Sequence, residues 1–282
     1  MYNSTSLEPI DYLVIGHLTK DLTPQGERIG GTVAYASLTA QILGVRVGIV
    51  TSWAEDLSLG HLKTVPISNS LADTTTTFEN RYTETGRIQI LHAVAPKLGL
   101  NNIPETWRAA PIVHLGPVAQ EVEPGLIRYF PSALIGLTPQ GWLRTWDEAG
   151  KVVPAEWPEA AFMLEKAGAA VISVEDVGGD EARIEEMAAS SRVLAVTEAH
   201  LGARVFWNGD VRRFRPPDVI EVDATGAGDV FAAAFFIRMH TTLDPWEAAR
   251  FATALSAISV TRPGLDGIPT SDEIREIMIE VL

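Results

Sequence analysis

The chain has 282 residues, of which 46% are hydrophobic and 21% are charged, and its formal net charge is −14. This composition is typical of a globular protein and argues against disorder, and the negative charge disfavours nucleic acid and anionic membranes as partners. The absence of cysteine excludes disulfides, thiolate catalysis and cysteine-ligated metal centres.

The N-terminal segment, residues 1–11, has no basic stretch followed by an apolar one, and the longest apolar runs are far shorter than a membrane span. We therefore expect a cytoplasmic protein. No internal repeat, low-complexity segment or long linker divides the chain. The economical interpretation is one domain over residues 1–282, an α/β body with a small β excursion.

Short apolar runs in the first half of the chain predict buried strands at 12–16, 45–51, 112–115 and 131–137. The pair Gly30-Gly31 precedes an alanine-rich segment that predicts a helix over 32–43. A polar segment at 18–29 and an alternating, threonine-rich segment at 72–95, with Thr85-Gly86 at its turn, predict the β excursion.

Strands and helices alternate regularly in the second half, with a helix at 156–167, a strand at 170–174, a helix at 180–189 and a strand at 193–197. This alternation predicts a parallel sheet with crossover helices. The dipeptide Asn208-Gly209 between two apolar runs predicts a tight hairpin. Asp244, Pro245 and Glu247 have the pattern of a helix start, and this helix is predicted to continue to about residue 260.

The stretch 222–236 combines a glycine turn, a carboxylate and an apolar helical run. Free backbone N–H groups at Gly226 to Gly228 would lie at the positive end of the helix dipole and suit a phosphate, with Asp229 beside them as a base. An aspartate in the first turn is also a good helix start in its own right. Local chemistry alone therefore leaves an anion site and a plain strand-to-helix turn equally open.

Other polar residues are predicted at strand ends, namely Asp21, Gly30-Gly31, Glu175-Asp176 and Thr197-Glu198. In a parallel α/β sheet the carboxyl ends of the strands share one crevice, so these residues can converge with the glycine turn. A carboxylate base beside an anion site suits phosphoryl transfer to an alcohol.

Several familiar sites are absent from the sequence, including the P-loop, the Gly-x-Ser-x-Gly elbow and the His-Glu-x-x-His zinc helix. The glycine turn is not a dinucleotide fingerprint either, because Phe231 stands where the third glycine would be. The six histidines lack ligand spacing, and we interpret them as structural or surface residues, with His17 at the end of the first strand as the exception to examine.

Residues 223–229, Asp-Ala-Thr-Gly-Ala-Gly-Asp, resemble the C-terminal signature of the ribokinase-like, or PfkB, carbohydrate kinases. The same chain has the other landmarks of that family in order: Asp21, Gly30-Gly31 before a helix, a β lid, and Val196-Thr197 followed by Gly202. The resemblance implies a three-layer α/β/α sandwich with a mostly parallel central sheet and a small β-sheet lid. It also implies an ATP-dependent, magnesium-assisted kinase that phosphorylates a hydroxyl of a small sugar, polyol or nucleoside.

By this resemblance Asp229 is the general base, and Gly226, Ala227 and Gly228 form the anion hole for the transferred phosphoryl group. The residues implied in acceptor binding are Asp21, Gly30, Gly31, Tyr35 and Gln89. Those implied in donor binding are Thr197, Glu198, Gly202, Thr225 and Ala254. Either Glu175 or Asp176 would support the metal, and the lid, formed by 18–29 and 72–95, would also be the surface of a homodimer.

The chain departs from the family pattern at three places. Tyr35 stands where an asparagine is usual, so a hydroxyl contact is lost or replaced, or the ring packs under the lid. The segment Ser173-Val-Glu-Asp176 replaces the Asn-x-x-Glu element, and Ala199 replaces a glycine. Tyr35, Phe78, Gln89 and the loop 138–142 resemble a divergent branch that includes plant-type myo-inositol kinases.

Two other functions remain open from the sequence. The altered magnesium element is compatible with a non-catalytic descendant that binds a small molecule and regulates. An enzyme of the same fold acting on the hydroxymethyl group of a vitamin precursor is a further alternative, and the long threonine-rich lid weighs against it.

Overall fold

The computed structural model describes residues 8–24, 26–83 and 86–281. In these ranges the strands are β1 (Tyr12–Ile15), β2 (Thr19–Thr23), β3 (Gly26–Gly30), β4 (Val47–Thr51), β5 (Ile67–Asn69), β6 (Thr76–Thr83), β7 (Gly86–Ala93), β8 (Ile112–Leu115), β9 (Leu134–Leu137), β10 (Arg144–Trp146), β11 (Val152–Pro154), β12 (Ala169–Ser173), β13 (Val193–Thr197), β14 (Ala203–Trp207) and β15 (Asp210–Phe214). The α-helices are α1 (Thr32–Ile42), α2 (Ala160–Lys166), α3 (Glu181–Ser190), α4 (Ala227–Thr242), α5 (Pro245–Ser259) and α6 (Ser271–Val281).

The central sheet has nine strands in the order β15-β14-β13-β12-β9-β8-β1-β4-β5. The strands from β13 to β5 pair in parallel, whereas β14 and β15 are antiparallel to their neighbours. Because the parallel strands all point the same way, their carboxyl ends form one edge of the body. The predicted mixed α/β fold with a mostly parallel sheet is confirmed.

Successive residues of β1 face opposite sides of this sheet and separate two cores. Tyr12 and Val14 are buried with residues of α1, α4 and α5, while Leu13 and Ile15 are buried with residues of α2 and α3. Helix α4 is apolar on all sides because it packs between α1, α5 and the sheet. A β-carbon at Gly136 would overlap the Phe236 ring, so this glycine lets α4 lie close against β9. The result is the expected three-layer arrangement.

A second sheet of four strands, in the order β3-β2-β6-β7, lies beside the carboxyl edge and is called the small sheet below. It consists of two antiparallel hairpins joined by a parallel pair, β2 with β6. The segments predicted as an excursion, 18–29 and 72–95, fall on these strands, although residue 85 of the predicted turn lies outside the described residues. Phe78 and Leu91 of the small sheet pack on Val118 and Ala119 of the body.

His17, where the chain leaves the body for the small sheet, is fully buried. Its Nε2 lies 2.9 Å from the Pro96 carbonyl oxygen and its Nδ1 lies 2.7 Å from Thr76 Oγ1. Since a carbonyl oxygen only accepts, Nε2 is the donor and Nδ1 accepts from the threonine. Its backbone N–H donates to Glu121 Oε1 at 2.9 Å. His17 therefore ties together the chain segments that connect the two sheets.

Local signals located several elements accurately. Asn208 and Gly209 have φ values of 52° and 77°, as a tight hairpin turn requires, and Asp244 accepts from the N–H groups of Trp246 and Glu247 at the start of α5. The predicted helix at 156–167 is shorter, beginning at Ala160, and the predicted strand at 131–137 begins at Leu134. Strands β5, β10 and β11 and helix α6 were not predicted.

Of the helices in the described ranges, none has both the length and the apolar character needed to cross a bilayer.

Candidate active site

The glycine turn at 223–226 is held in place from two sides. The Asp223 carboxylate accepts from the N–H of Thr225 at 2.9 Å and from the N–H of Gly264 at 3.0 Å. Burial opposes ionisation of Asp223, but these hydrogen bonds prevail and its pKa lies below its ordinary value. Gly226 has a φ of 79°, and a β-carbon there would overlap the Tyr35 ring. The turn is therefore fixed between α1 and the loop that follows α5.

Helix α4 begins directly after this turn, so its free N-terminal N–H groups and the positive end of its dipole lie at the carboxyl edge of the sheet. The N–H of Ala227 bonds to the Ala224 carbonyl at 3.2 Å and the N–H of Asp229 bonds to the Gly226 carbonyl at 3.0 Å. Of the three predicted anion-hole donors, Gly226 and Gly228 therefore keep N–H groups without an acceptor among the described residues, whereas that of Ala227 is engaged. This arrangement suits an approaching phosphoryl group.

Asp229 lies in the first turn of α4 and is partly accessible. Burial is the main reason that its pKa rises to about 6, and the charge of Asp176 adds to the rise. A hydrogen bond with the Thr32 side chain and the positive charge of Arg144 act in the opposite direction on this pKa. The group is therefore mostly ionised at neutral pH and has a higher proton affinity than an exposed aspartate, as a general base requires.

Asp21 and the glycine pair meet where β2 and β3 join α1. Thr19 Oγ1 donates to Asp21 Oδ1 at 2.9 Å, and a β-carbon at Gly30 would overlap the Asp21 carboxylate. Gly31 has a φ of 88° and is the N-cap of α1. The start of α1 therefore faces the same cleft as the start of α4, and the Thr32 hydrogen bond to Asp229 connects them.

Tyr35, on the first turns of α1, is only 4% exposed. Burial raises its pKa, and so do the charges of Asp21, Asp229 and Asp223, while Arg28 lowers it. The three carboxylates come from distant parts of the sequence, yet the charges of all three act on this one tyrosine. Because its ring packs against Gly226, Tyr35 supports the glycine turn.

Two arginines that the sequence interpretation missed also reach this cleft. Arg144 Nη1 donates to Gln89 Oε1 at 2.7 Å, and Arg28 Nη1 lies 3.9 Å from Asp223 Oδ2. Both contacts join the small sheet to the body. The only local signal for Arg144 was its place just after the strand-end loop 138–142, and Arg28 had none.

The residues implied in donor binding lie at the end of β13 and around α5. Thr197 Oγ1 donates to the Ile172 carbonyl at 3.3 Å, and the Glu198 carboxylate oxygens each lie 2.6 Å from an arginine, Arg204 or Arg213. Gly202 has a φ of 93°, and a β-carbon there would overlap the Phe214 carbonyl oxygen. Glu198 and Gly202 therefore also build the turn between β13 and β14.

The remaining two donor candidates differ in exposure. Thr225 is exposed on the glycine turn, next to the start of α4, whereas Ala254 on α5 is partly buried against the main core. Helix α5 packs on β14. Because β13 is one of the parallel strands, its end lies at the carboxyl edge of the sheet, where α4 also begins. The start of α4 and the end of β13 therefore face the same side of the body.

The two metal candidates have different surroundings. Glu175 is exposed, whereas Asp176 accepts from the Ser173 N–H at 2.8 Å and from Gln140 Nε2 at 3.0 Å. Within residues 8–24, 26–83 and 86–281, no group of three or more acidic or histidine side chains is arranged to hold a metal ion. Mg²⁺ in kinases is held largely by water and substrate phosphates, with one or two carboxylates, and Asp176, which acts electrostatically on Asp229, fits that requirement.

The substitution Asp176→Asn is expected to lower turnover by about 10- to 100-fold and to raise the magnesium concentration needed for half-maximal rate. The matched control Glu175→Gln, one residue away and exposed, should stay within about twofold of wild type. Titrating magnesium against initial rate in both variants measures the difference. Equal losses in the two variants would contradict the choice of Asp176.

Residues 151–271 match the family described as pfkB family carbohydrate kinase. A cytidine kinase of Thermococcus kodakarensis is 26% identical over 249 residues, which cover 80% of this chain and 87% of the relative. An inositol 3-kinase of Oryza sativa subsp. japonica is 36% identical over 77 residues, covering 27% of this chain and 19% of the relative.

Solved structures share the fold over nearly the full length. A pyrophosphate-dependent kinase in the ribokinase family, complexed with a pyrophosphate analog and myo-inositol, superposes with a TM-score of 0.80 at 21% identity. The match covers 94% of this chain and 99% of that one. The three-layer sandwich with a separate small sheet is therefore the ribokinase fold.

Proposed function

We propose that this protein is a member of the ribokinase-like (PfkB) carbohydrate kinase family and transfers the γ-phosphoryl group of ATP to a hydroxyl of a small cyclic polyol, with Asp229 as the general base. The observation that carries the proposal is the position of Asp229. It follows the glycine turn directly, at the positive end of α4, and burial raises its pKa to about 6. A base and an anion site are thus adjacent in one cleft.

In the proposed reaction the acceptor hydroxyl gives its proton to the Asp229 carboxylate while its oxygen attacks the γ-phosphorus. The bond from that phosphorus to the bridging oxygen breaks, and ADP leaves with the electron pair. The N–H groups of Gly226 and Gly228 stabilise the charge on the transferred group, and that of Ala227 joins them when it releases the Ala224 carbonyl. Asp21, hydrogen-bonded to Thr19 beside Gly30, is placed to accept hydrogen bonds from other acceptor hydroxyls.

A magnesium ion bound with the donor would neutralise charge on its phosphates, and Asp176 is the side chain we assign to it. We assign Thr197, Gly202, Thr225 and Ala254 to the donor side of the cleft. Glu198 would act there through the turn that it holds with Arg204 and Arg213.

We further propose that the small sheet is a lid over the acceptor. The contacts Arg28–Asp223 and Arg144–Gln89 cross from the small sheet to the body, so they favour a closed arrangement. A closed lid excludes water, which would otherwise compete with the acceptor for the phosphoryl group. The cytoplasmic location and the homodimer formed through the lid stay predictions from the sequence.

We prefer a polyol as the acceptor because its hydroxyls can accept hydrogen bonds from side chains at this place. The small sheet has the amide groups of Asn80 and Gln89, and the body has the guanidinium of Arg144. The inositol 3-kinase and the structural neighbour bound to myo-inositol support the same choice. A nucleoside acceptor is the second candidate, because the cytidine kinase aligns over 87% of its length.

The proposal is tested by a matrix of acceptors and donors. Inositols, hexoses, pentoses, cytidine and other nucleosides are each incubated with ATP or pyrophosphate, and the phosphorylated acceptor is detected by mass spectrometry. We expect product with an inositol and ATP. Product with cytidine alone would move the acceptor to the second candidate. Binding seen by thermal shift without product from any pair would instead support the non-catalytic alternative.

A further inference from the structure

Three side chains form a hydrogen-bonded row inside the central sheet, from β1 through β8 to the end of β9. The Tyr12 hydroxyl lies 2.8 Å from Nδ1 of His114, and Nε2 of His114 lies 2.8 Å from Thr138 Oγ1. Tyr12 and His114 are fully buried, and Thr138, the residue after β9, is 7% exposed. The row therefore starts in the core and ends at the carboxyl edge of the sheet.

The surroundings of His114 are apolar on the side that faces α4. Its partner in β9 is Gly136, and the Phe236 ring occupies the place where a side chain of Gly136 would lie. The Phe236 and His114 rings pack in a T shape with their centres 5.1 Å apart. Burial lowers the pKa of His114 to about 3, so the ring is neutral at ordinary pH. A neutral imidazole donates one hydrogen bond and accepts one.

The burial of Tyr12 decides which nitrogen of His114 carries the proton. If Nδ1 carried it, Nδ1–H would donate to the Tyr12 oxygen, and the Tyr12 O–H would have no acceptor among the described residues. An unpaired donor in an apolar core is costly. If Nε2 carries the proton, the Tyr12 O–H donates to Nδ1 and Nε2–H donates to Thr138 Oγ1. Only this second direction satisfies both buried groups, and it leaves the O–H of Thr138 free.

The Thr138 hydroxyl lies beside residues that surround the proposed base. A β-carbon built on Gly116 would lie 2.6 Å from Thr32 Cγ2 and 3.2 Å from Thr138 Oγ1, so the two threonines flank one point after β8. The Thr32 side chain is hydrogen-bonded to Asp229. Thr138 also precedes the short turn 139–141, but its side chain makes no capping hydrogen bond there. Its proton therefore has no acceptor among the described residues.

We propose that Thr138 is a further binding residue for the acceptor, and that His114 and Tyr12 direct its O–H to an oxygen of the bound polyol. The inference rests on the proposed function, in which the acceptor lies over Asp229. The acceptor is the ligand we assign because Thr138 adjoins the first residue of α1, whereas the donor candidates at the end of β13 lie two strands further along the sheet. His114 and Tyr12 do not touch the ligand and are positioning residues.

This role complements the carboxylates of the site. Asp21 and Asp229, when ionised, only accept hydrogen bonds, so they bind the protons of the acceptor hydroxyls and leave the hydroxyl oxygens unmatched. The oxygen of Thr138 is already occupied by Nε2–H of His114. Its free proton then makes Thr138 a fixed donor, which fits a hydroxyl oxygen that the carboxylates cannot bind.

The first test is calorimetric titration of myo-inositol into Thr138→Val and Thr138→Ser. Valine has the shape of threonine without the hydroxyl, so the affinity should fall by about 3- to 10-fold, the range for one neutral hydrogen bond. Serine keeps the hydroxyl and should stay within about twofold of wild type. The matched control Thr39→Val removes a buried hydroxyl that donates to the Tyr35 carbonyl within α1, and it should leave the affinity unchanged. Wild-type affinity in Thr138→Val would refute the inference.

The second test separates positioning from stability. His114→Phe alone leaves the buried Tyr12 O–H without an acceptor and should be less stable than the double variant Tyr12→Phe/His114→Phe, which removes both polar groups. The affinity of the double variant for myo-inositol should still be about threefold below wild type, because the Thr138 O–H is no longer held in one of three staggered orientations. An affinity that recovers together with the stability would show the row to be structural only. The double variant also serves if Thr138→Val does not fold.

The third test needs neither ligand nor turnover. The ring ¹⁵N resonances of His114, assigned by their loss in the double variant, report which nitrogen carries the proton. We expect Nε2–H with an unprotonated Nδ1 at neutral pH, and a proton on Nδ1 would overturn the proposed role of Thr138. If myo-inositol binds with the expected dependence on Thr138 but is never phosphorylated, the inference stands and only the proposed function fails.

Discussion

The variant Asp229→Asn is expected to turn over about 10²- to 10⁴-fold more slowly than wild type, the range for loss of a general base. Asparagine has nearly the same shape, so the start of α4 and the glycine turn should persist and ATP binding should largely survive. Steady-state rates with saturating acceptor, together with calorimetric titration of ATP, measure both parts. Turnover within tenfold of wild type would remove the assignment of Asp229 as the base.

The pH dependence supplies the control for this variant. Since the base must be ionised, wild-type kcat/KM should rise with pH and level off above about 6, and the residual rate of Asp229→Asn should lack this rise at acid pH.

The stability of the fold should respond to pH in the opposite sense. Because burial raises the pKa of Asp229, its contribution to stability is present below its unfolded pKa, about 4, and is lost as pH rises through about 6. Asp229→Asn should therefore have the higher Tm at pH 8 but no such advantage at pH 4.

Gly226→Ala is expected to lower turnover by about 10²-fold or more and to destabilise the fold by about 1–3 kcal/mol. The φ of 79° disfavours a side chain, and the new methyl group would overlap the Tyr35 ring. The turn must shift, and its N–H groups shift with it. Chemical denaturation and initial rates on the same preparation measure the two effects.

Gly228→Ala is the matched control, since this residue is helical and a β-carbon there meets no atom within 4 Å. Its stability should be equal to wild type or higher by about 0.5–1 kcal/mol, the usual preference for alanine in a helix. In the double variant Tyr35→Ala/Gly226→Ala the overlap is removed, while the backbone strain and the cavity left by the ring remain, so its loss of stability should be smaller than the sum of the two single losses. Wild-type stability and turnover in Gly226→Ala would contradict an anion hole at this turn.

The elements that were predicted well are those whose signal lies within a few residues. Asn208-Gly209 specifies its own turn because both residues adopt positive φ easily, and Asp244 caps α5 through its own side chain. Strands β10 and β11 were missed because each has only three residues and is held by distant partners. An example is the hydrogen bond from the N–H of Leu91 in the small sheet to the carbonyl of Gly150, which lies between β10 and β11.

The candidate site divides in the same way. Asp229 and the glycine turn are adjacent in the chain, so their chemistry was visible, although local chemistry alone could not distinguish an anion site from a plain helix start. Glu198 shows the limit: its place at a strand end was predicted, but its pairing with Arg204 and Arg213 depends on the hairpin that folds back over it.

The sequence by itself determined the α/β alternation, the glycine turn that opens α4 and the carboxylate that follows it, because backbone conformation and helix polarity depend on neighbouring residues. Only the tertiary structure decided the environment of that carboxylate. Burial that raises the pKa of Asp229, the packing of Tyr35 under Gly226 and the reach of Arg144 from the body to Gln89 all require segments far apart in sequence to meet. Charge interactions and desolvation depend on distances in space, and the folded chain alone sets those distances.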